Sequence, residues 1–223
     1  MLQKKKQIYK GVFIYNIMRK LKPEERIYKA FYNERKDKLY FNQLKELTGL
    51  GDSSLVNALR TLRQSKEIEA IKNKANTFYK LKNKWVTRVS FSFFDYEKLE
   101  NLENHVKIPI RKFLSEMPKS ICFIILFGSA SRNQEHKDSD IDILVVLHEF
   151  NNTKLQKEYE QEMKNHIEEL KDRISATSIH PITVFYTTID EFKSSEDRLI
   201  TEARDTGFCI DGNLVYYEVM LDE

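Results

Sequence analysis

Apolar residues in the first eighty positions recur at helical spacing, then give way to longer apolar runs. Pro23-Glu24-Glu25 makes a helix start, with proline in the first turn and acids complementing the dipole, and Ile27, Ala30 and Phe31 follow as a stripe. A second short helix over residues 42–48 carries Leu44 and Leu47 and stops at Gly49. Leu50-Gly51 turns the chain, Asp52 or Ser53 caps a third helix, and Leu55, Leu59 and Leu62 share one of its faces. Two strand-like runs, IEAIK and TFYKL, come after Lys66, joined by Asn73-Lys74-Ala75-Asn76.

Further on, WVTRVSFSFFD (residues 85–95) alternates as a strand or an extended connector does, with aromatics that join the flanking parts. Leu99, Leu102 and Val106 then give an amphipathic segment that breaks near Pro109, and Ile110, Phe113, Leu114 and Met117 resume it until Pro118. Residues 121–147 hold two strongly apolar strands around a polar loop. A long helix over residues 154–176 follows, with Leu155, Tyr159, Met163, Ile167, Leu170 and Ile174 on one side. IHPITVFY reads as another strand, and TTIDEF as a turn into a short helix capped by Thr188 or Asp190. A helix over residues 196–205 and the run GFCIDG complete the pattern. Strands separated by helices predict a mixed sheet covered by helices. The fold class expected is α+β in two domains, residues 1–84 and 96–223, with a linker at 85–95.

Composition narrows the class. The chain has 223 residues, is 41% hydrophobic and holds few Gly or Pro, which suits a globular protein of one or two domains. No apolar run approaches the roughly 20 residues that span a bilayer, and the basic first residues lack a signal-peptide core, so a cytoplasmic protein with no membrane contact is expected. Cys122 and Cys209 read as small hydrophobes rather than a disulfide or metal pair. The net charge of +3 conceals a polarity: residues 1–90 hold 22 Lys and Arg against 8 Asp and Glu, and acids predominate afterwards. A basic first part implies a polyanionic partner, or else a solvated lysine-rich surface.

Candidate chemistry concentrates in ICFIILFGSASRNQEHKDSDIDILVVL, residues 121–147. Alternate residues of a strand share a face, so Asp140 and Asp142 project together while Ile141, Ile143, Val145 and Leu147 pack behind them. Two neighbouring carboxylates repel unless a cation lies between them. Taken alone, Gly128-Ser129 is an ordinary strand-to-helix turn; beside the two acids it becomes a candidate phosphate site.

Gly128, Ser129, Arg132, Ser139, Asp140 and Asp142 together resemble the signature of the DNA polymerase β-like nucleotidyltransferase superfamily, in which Gly-Ser precedes Arg-Gly and Ser-Asp-X-Asp closes the loop. Asn133 stands where that family has Gly, a departure expected to alter the loop backbone more than the metal site. The resemblance implies a nucleotidyltransferase domain over residues 96–223. In it Gly128, Ser129, Arg132 and Ser139 bind a nucleoside triphosphate. Asp140 and Asp142 would hold Mg²⁺ or Mn²⁺ as catalytic carboxylates. Members usually carry a third carboxylate on a later strand. IHPITVFY contains none, and Thr183 or Phe185 falls near the expected position, while His180 before a proline reads as structural or as a base.

Helix, helix, tight turn, helix and hairpin, the order over residues 23–81, resembles a winged helix-turn-helix. That likeness implies DNA as partner, with Ser54, Asn57 and Arg60 on the third helix facing the major groove and Lys72 and Lys74 on the wing facing phosphates. Another nucleic acid, or a purely structural or protein-contact role, stands beside it. The function expected is transfer of a nucleoside monophosphate from an NTP to an acceptor that the chain does not identify. The alternative is a DNA-binding regulator whose second domain binds nucleotide or forms a homodimer without catalysis.

Overall fold

The computed structural model describes residues 20–73, 76–134, 136 and 139–221. The chain separates into two compact units, Met1–Glu97 and Lys98–Glu223. Among the described residues no helix is long and apolar enough to cross a membrane.

In the first unit, helix α1 (Pro23–Glu34) opens with proline and acids, and the Lys22 N–H donates to Glu25 Oε2 at 2.8 Å. A short strand β1 (Leu39–Tyr40) leads into α2 (Phe41–Thr48), and α3 (Asp52–Gln64) follows after Gly49-Leu50-Gly51. Gly51 is the N-cap residue of α3, in the place expected for Asp52 or Ser53. Strands β2 (Ile68–Lys72) and β3 (Thr77–Leu81) pair antiparallel, and β1 adds to β3, giving the order β1-β3-β2. Ile27, Phe31, Leu39, Leu44, Leu55, Leu59 and Leu62 are buried between helices and sheet, where burying each such side chain stabilises by about 1.5–3 kcal/mol. Leu47, expected on the apolar stripe of α2, is 42% exposed.

The expected connector at 85–95 is instead part of helix α4 (Lys84–Glu100). Within residues 85–95 the buried positions are Thr87, Phe91, Phe94 and Asp95, a spacing of four, three and one that belongs to a helix. The aromatics fill the core of the first unit: Tyr32 meets Phe91 and Phe94 at ring distances of 5.4 and 5.3 Å, and its hydroxyl donates to the buried Asp95 carboxylate at 2.6 Å.

In the second unit, α5 (Asn104–Glu116) runs through Pro109 without a break. A proline in a helix leaves one carbonyl without its donor, and the interruption expected there falls instead at residues 101–103. Strands β4 (Phe123–Phe127), β5 (Ile141–Leu147), β6 (Ile182–Thr188) and β7 (Phe208–Asp211) form a four-stranded sheet ordered β6-β5-β4-β7. The β5–β6 pair is parallel and the other two pairs are antiparallel, so the sheet is mixed.

Helix α6 (Thr153–Ser175) carries the chain across from β5 to the parallel β6. One face of the sheet, with Ile124, Leu126, Ile141, Ile143, Val145 and Leu147, packs on Val106, Ile110 and Phe113 of α5 and on Met163, Ile167, Leu170 and Ile174 of α6. Leu155, at the start of α6, is 54% exposed and takes no part in that core. Aromatic residues dominate the opposite face, where Phe123 lies 5.2 Å from Phe192 and 5.4 Å from Tyr216. Phe192 belongs to α7 (Ile189–Ser194), which Thr188 caps by accepting from the Glu191 N–H at 3.4 Å. Helix α8 (Arg198–Thr206) and a final, unexpected helix α9 (Asn213–Leu221) complete the unit.

Candidate functional site

Strand polarity decides where side chains can converge. β4 ends where β5 and β6 begin, so the turn after Phe127, the acids opening β5 and the first residues of β6 meet at one edge of the sheet. Asp142 pairs across with Phe127 on one side and with Thr183 on the other. Asp140 is exposed just before β5, and Asp142 is half-buried within it. Ile141 between them is fully buried on the opposite face. The two carboxylates therefore share one side of the strand.

Gly128 closes this edge. Its φ is +69°, a left-handed conformation that suits glycine. A Cβ built there would stand 2.3 Å from Asp142 Oδ2 and 3.2 Å from its carboxyl carbon. The Asp142 carboxylate thus lies directly against the bare Cα of the Gly-Ser bend. Burial pushes the Asp142 carboxyl above its ordinary value, and the charges of Asp140 and Glu202 add to the shift.

After the bend, Ala130–Arg132 form one turn of 3₁₀ helix, too short to be a helix N-terminus of any strength. The N–H groups of Arg132 and Gln134 both donate to the Ser129 carbonyl at 3.1 Å, and the Ser131 hydroxyl donates to the Gly128 carbonyl at 2.8 Å. Ser129 itself is half-buried, and its hydroxyl makes no capping bond to that turn. Asn133 takes the left-handed conformation with φ +51°. Asparagine is among the non-glycine residues that adopt this region most readily. Arg132 is exposed and faces Glu202 on α8 with 3.9 Å between Nη1 and Oε1.

Ser139 is engaged in closing the loop. Its hydroxyl accepts from the His136 N–H at 2.8 Å, and its own N–H donates to the His136 carbonyl at 2.9 Å. The Ser139 carbonyl meets His180 Nδ1 at 2.8 Å. His180 is 5% exposed and its ring lies 5.0 Å from that of His105, an arrangement that anchors the start of β6.

No acid stands on β6, and the residue opposite Asp142 is Thr183. Its hydroxyl donates to Asp140 Oδ2 at 2.9 Å. Among the described residues no group of three or more His, Cys, Asp or Glu is placed to hold a metal ion. The donor set is two carboxylates. That suits Mg²⁺, which takes one or two protein carboxylates and completes its shell with phosphate and water oxygens. Glu202 lies about sixty residues after the Asp pair, so no local spacing links it to them.

In the first unit the candidate contacts are surface residues. Asn57 and Arg60 are exposed on α3 and Ser54 is half-exposed, with Arg60 Nη1 donating to Asn57 Oδ1 at 3.3 Å. Lys72 is exposed at the end of β2, and Lys74 lies outside the described residues. Cys122 and Cys209 are both buried, and burial pushes the Cys122 thiol up to about 11.

Residues 108–203 match the family model described as a nucleotidyltransferase domain. The matched span runs from within α5 to within α8 and includes Gly128, Asp140, Asp142 and Thr183. No curated protein matches the chain.

Proposed function

We propose that the second unit, similar to nucleotidyltransferase domains over residues 108–203, transfers a nucleoside monophosphate from an NTP to an acceptor. The observation that carries this reading is the seating of the Asp142 carboxylate on the Cα of Gly128, which puts the acid pair beside the Gly-Ser bend. Asp140 and Asp142 would hold Mg²⁺ or Mn²⁺. Bound there, such an ion offsets the charge of the transferring phosphoryl group and of its leaving oxygen. Gly128 lets backbone and phosphates approach closely, Ser129 offers a hydroxyl donor, and Arg132 can exchange Glu202 for the triphosphate. The raised Asp142 fits this role: its ionised form is disfavoured until a cation compensates it.

The first unit would act as a winged helix-turn-helix that contacts DNA. Supporting this are the order α1, β1, α2, α3, β2, β3, the exposure of Asn57, Arg60 and Lys72, and the basic charge of residues 1–90. A regulator whose second unit binds nucleotide, or self-associates, without turnover is the other reading, favoured by the missing acid on β6. Incubation with labelled NTPs, Mg²⁺ and candidate acceptors, protein hydroxyls and tRNA included, separates the two. Label incorporation that disappears in Asp140→Asn is expected. Nucleotide binding with no incorporation would support the regulator.

A further inference from the structure

The start of β6 grips three consecutive residues of the acid segment. His180 Nδ1 meets the Ser139 carbonyl at 2.8 Å, the Pro181 carbonyl accepts from the Ile141 N–H at 2.8 Å, and the Thr183 hydroxyl donates to Asp140 Oδ2 at 2.9 Å. The first two contacts fix the backbone on either side of Asp140. The third fixes the carboxylate. Asp140 is exposed just ahead of β5, so the backbone contacts alone leave its side chain free to change rotamer.

We propose that Thr183 is the positioning residue for Asp140, holding Oδ2 so that the other carboxylate oxygen stays open toward a divalent cation. This rests on the nucleotidyltransferase reading above. Thr183 sits opposite Asp142 in the parallel register, so its side chain shares the face that both acids use. Threonine suits the task because its β-branch stiffens χ1 and gives the hydroxyl a defined direction. A carboxylate at this position would repel Asp140, whereas a hydroxyl donates to it. Thr183 therefore supplies alignment without adding charge. A cation there would be held by two acids, Asp140 prealigned by a neutral neighbour and Asp142 seated against Gly128.

Mn²⁺ titration of the full chain, read by loss of the free-ion electron paramagnetic resonance signal, tests this without reference to activity. Thr183→Val keeps shape and removes the donor, and Thr183→Ala serves as a second variant should valine perturb the sheet. A Mn²⁺ affinity weakened about tenfold in both, with unchanged thermal transitions, is expected for the loss of a residue that orients a metal ligand. Thr183→Ser should restore affinity to near that of the natural protein. Wild-type affinity in the valine and alanine variants overturns the proposal, as does a serine variant as weak as valine. Asp140→Asn and Asp142→Asn provide the separation from the underlying reading. If they lose Mn²⁺ while the valine variant keeps it, only the role of Thr183 fails. If they bind Mn²⁺ as the natural protein does, the nucleotidyltransferase site itself fails.

Discussion

Gly49 and Gly128 both adopt positive φ, at +62° and +69°, yet they occupy very different surroundings. Gly49 ends α2 in the first unit, its N–H donates to the Lys45 carbonyl at 3.0 Å, and a Cβ there would meet nothing within 4 Å. It is a device for ending a helix. Gly128 in the second unit would drive a Cβ into the Asp142 carboxylate at 2.3 Å. Its bareness makes room for a chemical group, and that group is one of two neighbouring acids. The same contrast runs through both units. The first is an amphipathic core with candidate contacts on exposed faces. The second concentrates glycine, acids and hydroxyl at one sheet edge.

The sharpest way to break this contrast is to remove the acids. Asp140→Asn or Asp142→Asn should lower nucleotide transfer by roughly a thousandfold, the several kcal/mol that a metal contributes to such a reaction, while circular dichroism stays unchanged. Comparable changes at Arg60 or Lys72 should leave transfer intact. Loss of transfer in the surface variants would erase the distinction between the units.

Paired glycine substitutions come next. Gly128→Ala should cost about 2–3 kcal/mol of stability, from the left-handed backbone together with the forced displacement of Asp142, and should abolish transfer. Gly49→Ala has only the backbone cost, about 1 kcal/mol, and should leave transfer untouched. Equal losses in the two denaturation curves would show that the Asp142 contact contributes nothing.

Proton linkage gives a smaller effect with a definite sign. Asp142 is raised from 3.8, so folding favours its protonated form. Its stabilising contribution is present in full below 3.8 and is lost as pH rises through the raised value, which makes the ionised side chain a cost at neutral pH. In metal-free buffer, Asp142→Asn should therefore gain stability over the natural protein as pH climbs from 3.8 to neutrality, and Mg²⁺ should narrow that gap. A gap independent of pH would contradict the burial-and-repulsion account. The smallest shift belongs to the first unit. Arg60→Ala and Lys72→Ala should each reduce the salt slope of DNA binding by about one, seen in mobility shifts at graded salt concentrations. Binding that does not weaken as salt rises would remove phosphate contacts from the account.

Much of this architecture can be read from residue spacing, and its failures have physical causes. Helices α1, α2, α3 and α6 and the strands around the acids carry a single dominant period, and they lie within a residue or two of their expected bounds. Residues 85–95 satisfy two periods at once. Their alternation is visible in the letters, and only burial at Thr87, Phe91, Phe94 and Asp95 shows that the helical period prevails. Pro109 misleads because its effect depends on whether the carbonyl it leaves unpaired can be accommodated. At the site, the Gly-Ser and Asp-X-Asp register is local in sequence and so was visible. Thr183 falls near the expected place of the missing acid in the sequence as well, yet its bond to Asp140 follows from sheet register, and Glu202 acts on Asp142 from a helix that no local pattern ties to the acids.

Whether the acid pair beside Gly128 holds a divalent ion beneath a nucleoside triphosphate decides the proposed function. Calorimetric titration of nonhydrolysable NTP analogues into the full chain, with Mg²⁺ present and then chelated, tests it most directly. Binding that requires Mg²⁺ and vanishes in Asp142→Asn is expected. Binding that ignores both the ion and the substitution, or no binding at all by the natural protein, would contradict it.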